Sequence, residues 1–258
     1  MVEVGRGDRV SMRRLFRAAA LLLCATAQGA FAAEISVLSG GAIEPGVRPA
    51  IAAFEEASGH TVALSFATAP QIRERVAAGQ RFDVLIAPPA VLDALALDAA
   101  LRVPIGSVGL GVAVRPGATR PDISSAEAFT RALLEADSLV FNRASTGLYF
   151  EGLMKKLGLE AATAPKTTRY PDGASVMAHV LHGRGSELGI GAITEIVLVQ
   201  GKGLQLVGPL PPGLQNLTSY VAAPTQPQPA DAVRALLKHL AGADAQATYN
   251  AAGITPTR

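Results

Sequence analysis

Apolar positions along this chain follow two rhythms, and the switch between them recurs from Glu34 to the C-terminus. Ile35–Leu38, Val62–Phe66 and Val84–Ile86 are short apolar runs of strand length. Two longer stretches with apolar residues at helical spacing separate them. Each of the first two strands runs into a loop of small residues that opens a helix, Ser39-Gly40-Gly41-Ala42 and then Ala67-Thr68-Ala69-Pro70.

The alternation continues beyond Pro89. Val91–Leu97 reads as a short helix and Val108–Val114 as a strand interrupted by glycine. Ser124 or Ser125 is placed to cap a helix running through Ala136, with Glu127 in its first turn. Ser138–Phe141 reads as a strand, and Ser145-Thr146-Gly147 opens a helix through Leu157. Lys166–Tyr170 is the next strand, and Pro171-Asp172-Gly173 opens a helix through Leu181. Leu188–Ala192, Leu204–Val207 and Thr218–Ala222 are further strands, the last two divided by a proline-rich turn at Gly208–Gly213. Asp231–Leu240 and Ala243–Ala251 close the chain as helices. Strands and helices alternating throughout predict an α/β fold. Gly and Pro cluster near 104–117 and 208–213, which suggests two crossings between lobes. On that reading 33–107 with 208–258 form lobe 1, and 108–207 form lobe 2.

Four strand-to-helix junctions carry the candidate chemistry: Gly41–Gly46, Thr68–Gln71, Ser145–Leu148 and Asp172–Ala174. A helix start has unpaired N–H groups and a partial positive charge, so it draws an anion without a cationic side chain. Pro70 suits a first-turn position because its missing N–H would be unpaired there anyway. Gly41, Gly147 and Gly173 let backbone approach a ligand closely, with Thr146 and Ala174 beside them as expected ligand contacts. Arg143 and Arg169 precede the third and fourth junctions and are placed to fork onto a carboxylate, or to serve as surface or interlobe cations. Glu44 in the first junction reads as a cleft acid or as a first-turn acid facing solvent. His179 and His182 lie three apart with no partner spacing for a metal, and Tyr149 reads as core with its hydroxyl open to a ligand. No serine triad, phosphate loop or cofactor motif is present.

Residues 1–32 read as a signal peptide. Arg13, Arg14 and Arg17 precede an apolar core at Ala18–Ala27, too short to span a bilayer, and Ala30-Phe31-Ala32 offers cleavage after Ala32. The one cysteine, Cys24, falls inside this leader, so no disulfide or thiolate metal site is expected in the remainder. The leader also holds five of the 23 basic and two of the 21 acidic residues, leaving 18 against 19. A near-neutral mature chain gives no case for nucleic acid or anionic lipid as partner. The absence of tryptophan argues against a sugar site. The expectation is an exported, periplasmic, monomeric protein without a membrane span.

The segments FEEASGHTV, SFATAPQIRERVAAGQRFDVLIAP, STGLYFEGLMKKLGL, ELGIGAITE and AQATYNAAGITP resemble the molybdate-binding-protein-like family of periplasmic receptors. The resemblance implies a two-lobed, type 2 periplasmic-binding-protein fold with a ligand cleft between lobes, and an ABC permease as onward partner. It also implies which residues meet the ligand. Two loop serines that contact the oxyanion in molybdate receptors fall on Ala42 and Ala69, with Thr68 beside the second, and a contacting tyrosine falls on Ala192. Methyl groups in place of hydroxyls remove donors worth roughly 1.5–3 kcal/mol each toward a dianion and enlarge the pocket. The departures favour an organic di- or tricarboxylate over molybdate. The family resembles aconitate isomerase as well, and an isomerase on this scaffold would draw its base from Glu44, Tyr149 or Asp172.

Overall fold

A computed structural model describes residues 32–256; the leader read from residues 1–32 lies almost wholly outside the described residues. In chain order the elements are β1 (Glu34–Gly40), α1 (Glu44–Ser58), β2 (Thr61–Ala67), α2 (Ala69–Ala77), β3 (Val84–Ala87) and α3 (Pro89–Ala94). There follow β4 (Val103–Val114), α4 (Ala126–Glu135), β5 (Ser138–Asn142), α5 (Ser145–Lys156), α6 (Glu160–Thr163), β6 (Thr167–Tyr170) and α7 (Gly173–His182). The chain ends with β7 (Glu187–Ala192), α8 (Ile193–Gln200), β8 (Gln205–Pro209), β9 (Leu217–Pro224), α9 (Asp231–Leu240) and α10 (Ala243–Ala251).

The strands pair in the order β2-β1-β3-β9-β4-β7-β5-β6, with β8 on β4. β1 pairs in parallel with β2 and β3, and β5 with β6 and β7, while β4 and β9 run antiparallel to their neighbours. The 12-residue strand β4 serves both halves. Val103–Gly109 pairs with β9, and Leu110–Ala113 pairs with β7. Gly106 sits at a bulge with φ 153°, where a side chain would strike Ile254 and the Thr255 carbonyl. Only glycine meets both demands.

Each half buries its strands between helices. In the first half Val37, Ile86 and Ala222 face α1, α9 and α10, while Leu38, Leu85 and Ala223 face α2 and α3. In the second, Leu110, Leu139 and Ile190 face α4 and α5, while Ala113 and Val140 face α7 and α8. Strands covered on both faces must be apolar throughout, which explains the unbroken VLIA of β3. α9 gives the clearest helical stripe, burying Val233, Leu236, Leu237 and Leu240. α1 ends at Gly59 in the left-handed conformation.

Most predicted elements are present within a few residues. Two helices are not in the sequence reading: the single turn α6 and the longer α8. The run Ile193–Gln200 carries no helix in the sequence reading, because its β-branched Ile, Thr and Val residues have poor helical propensity. Packing overrides that preference: Ile196 is fully buried against Val140, Val176 and Leu204.

Candidate functional site

Parallel strands align their carboxyl ends, so the helices they feed begin on the same side. β1, β2, β5 and β6 therefore deliver the starts of α1, α2, α5 and α7 to one cavity of about 780 Å³. All four predicted junctions line it: Gly41, Ala42 and Glu44; Thr68, Ala69 and Gln71; Ser145 and Thr146; and Asp172, Gly173 and Ala174. The volume lies within the range of about 300–1,000 Å³ for small-molecule sites.

Local hydrogen bonds fix these helix starts. Gln71 accepts the Thr68 amide at 2.8 Å, closing a capping box on α2. Asp172 caps α7 by accepting the Ser175 amide at 2.8 Å. Asn142, at the buried end of β5, accepts the Ala144 and Gly147 amides at 3.0 Å each through Oδ1. Its side chain also bonds the Thr146 hydroxyl. Gly147 is thus a packing glycine: an added Cβ would lie 1.8 Å from the Asn142 carbonyl oxygen.

Glu195, in the first turn of α8, stands between the junctions. A Cβ on Gly173 would lie 2.0 Å from its Oε2, and one on Gly41 would lie 3.8 Å from its Oε1. Glu195 lines the cavity, yet its Oε2 is buried with no hydrogen-bond partner among the described residues. Loss of hydration pushes its carboxyl up from 4.5 to about 7. The nearby Ala192 amide opposes that rise, and the charges of Asp172 and Glu44 reinforce it. α8 is anchored beside this group by Thr194, fully buried, whose hydroxyl donates to the Ala42 carbonyl of the facing half.

Tyr220 of β9 forms part of the cavity wall, packed so tightly on Gly40 that a Cβ there would meet its ring at 2.7 Å. Burial, and secondarily the Glu195 charge, raise the ionisation of its phenol beyond the ordinary tyrosine range. His182 and Lys202 reach the cavity from the ends of α7 and α8. Among the described residues Lys202 is the only lysine or arginine lining it.

Five expected site residues do not line the cavity. Arg169 pairs with Glu151 at 2.5 Å and lies over the Phe141 ring, 5.1 Å from its centroid. Arg143 is exposed in the loop after β5. Gly147 packs on Asn142. Ala192 is fully buried in the core at the start of α8. Tyr149 donates to the Leu214 carbonyl at 3.0 Å. Of the candidate bases, Glu44 reaches the cavity but pairs with Arg48 at 2.5 Å, and Asp172 serves as a helix cap. Glu195, Tyr220 and Lys202 were not singled out from the sequence. A lone acid in the otherwise apolar run ITEIVLV was the available signal for Glu195. Among the described residues no three His, Cys, Asp or Glu side chains gather to hold a metal ion, and no helix is long and apolar enough to cross a membrane.

Comparison with known proteins agrees with this architecture. The molybdate-binding protein of Azotobacter vinelandii superposes with a TM-score of 0.69 at 16% identity, covering 87% of this chain and 100% of that one. The sulfate-binding protein of Mycobacterium tuberculosis superposes with a TM-score of 0.64 at 18% identity, covering 87% of each chain. Aconitate isomerase from a Pseudomonas species is 31% identical over 235 residues, 86% of this chain and 87% of that protein. The family model described as bacterial extracellular solute-binding protein matches residues 35–255. With nearly all its described length matched and its cavity built where strand ends from two halves meet, the chain belongs to the bacterial extracellular solute-binding protein family.

Proposed function

We propose that this protein is an isomerase of the aconitate type, moving a proton along the allylic system of an unsaturated tricarboxylate, with Glu195 as the base. Glu195 carries the reading. A carboxyl that titrates at about 7 is divided between acid and base at neutral pH, so it can both take and return a proton. A site built only to hold an anion gains nothing from an unpartnered buried carboxylate, since its charge repels the ligand.

The reaction follows from the substrate's chemistry. Glu195 removes a proton from the methylene carbon beside the double bond, and the electron pair spreads over three carbons into the terminal carboxylates. Return of a proton from the Glu195 carboxyl to the far allylic carbon moves the double bond and exchanges the trans and cis forms. The step is redox-neutral and begins and ends with the same protein charge. Backbone N–H groups at the starts of α2 and α7 attract the carboxylates, and Lys202 supplies a cation in the cavity wall. The 31% identity to aconitate isomerase supports the substrate class. The leader read from residues 1–32 supports work in the periplasm.

The test is incubation of purified protein with trans-aconitate, followed by chromatography. Formation of cis-aconitate by the unaltered protein, reduced at least about 100-fold in Glu195→Gln, is the expected result. A second reading is a carboxylate receptor serving an ABC permease, favoured by the convergence of four helix starts on one cavity. Tight binding of tricarboxylates without turnover would select it.

A further inference from the structure

We propose that Tyr220 is the un-ionised hydrogen-bond donor that meets the terminal carboxylate on which negative charge gathers as Glu195 takes the allylic proton. This deepens the isomerase reading and rests on it. The chain has four tyrosines, and three have committed hydroxyls. Tyr149 donates to the Leu214 carbonyl, Tyr170 pairs with His179, and Tyr249 donates to the Leu240 carbonyl. The Tyr220 hydroxyl has no such partner among the described residues, although the side chain is only 5% exposed and lines the cavity.

Its ring packs closely on Gly40, which holds the phenol oxygen at the cavity wall before any ligand arrives. Such a donor needs no reorganisation when charge develops, which is what makes a preorganised group effective in a dry site. The phenol also keeps its proton. Burial and the neighbouring Glu195 charge both disfavour the phenolate, so it competes neither as a base nor as a second anion. The division of labour is then definite: Glu195 carries the proton between carbons, and Tyr220 donates a hydrogen bond without transferring its own.

Tyr220→Phe removes one oxygen and leaves the ring against Gly40. The variant should lower kcat about 100-fold, with KM within about threefold because the bond strengthens mainly in the transition state. Exchange of substrate methylene protons with D2O, followed by NMR, should slow by the same factor, since it passes through the same carbanion. Binding of propane-1,2,3-tricarboxylate, which lacks the double bond, should stay within about threefold of the unaltered protein by calorimetry, which separates lost catalysis from a damaged fold. An unchanged kcat in Tyr220→Phe overturns this proposal and leaves the isomerase reading standing. Weakened tricarboxylate binding matching the loss in kcat/KM also overturns it, assigning the hydroxyl to uniform binding. Absence of turnover in the unaltered protein overturns both readings.

Discussion

At the scale of single residues, Glu195 governs the behaviour of the site. Its carboxyl ionises at about 7 in the folded chain against an ordinary 4.5. Between those values the folded state holds the extra proton, so stability falls as pH rises from 4.5 through 7 and then levels off. That difference corresponds to roughly 3 kcal/mol across the window. The thermal midpoint of the unaltered protein should therefore decline over this window relative to Glu195→Gln, whose neutral amide removes the dependence; parallel curves from pH 4 to 8 would contradict the assignment. The rate should run the other way, with kcat/KM rising through pH 7 as the base form accumulates. Arg169→Ala should leave tricarboxylate affinity within about twofold, because the guanidinium is held by Glu151 and Phe141 outside the cavity.

At the scale of elements, the helix starts are set by a few capping side chains. Asn142 is 2% exposed and satisfies two amides of the β5–α5 junction. Asn142→Ala should cost about 1–3 kcal/mol in urea unfolding, through lost capping and buried unsatisfied amides. Gly147→Ala should cost more, since backbone must move to admit the methyl. The four junctions were readable in the sequence because each pairs a short strand with small or capping residues before a helical run. α8 was not, because Ile193–Gln200 is helical only by virtue of what Ile196 packs against, and Glu195 was hidden with it. The same limit left the roles of Arg143 and Arg169 open between ligand contact and surface cation. Sequence fixes their position beside a junction but not the direction of a long side chain, and Glu151 and Phe141 are neighbours only in three dimensions.

At the scale of the whole molecule, two cores share strand β4 and meet across the cavity. Thr194 joins the halves through its bond to the Ala42 carbonyl. Thr194→Val leaves that buried carbonyl short of a partner, and should lower stability by about 1–3 kcal/mol and weaken tricarboxylate binding in calorimetry. A cavity this large, with alanine at positions 42 and 69, should favour carboxylates. In a thermal-shift comparison propane-1,2,3-tricarboxylate should raise the midpoint, gaining about 2.7 kcal/mol at a hundred times its Kd. Molybdate at the same concentration should not.

The close fit of Glu195 on Gly173 also constrains the order in which this site can diverge. Alanine at 173 would place a methyl carbon 2.0 Å from the carboxylate, so that change displaces the acid from the position it holds beside the α7 start. Once a lineage replaces Glu195 with a small residue, position 173 becomes free to vary. Relatives with a side chain at 173 should therefore mostly lack glutamate at 195.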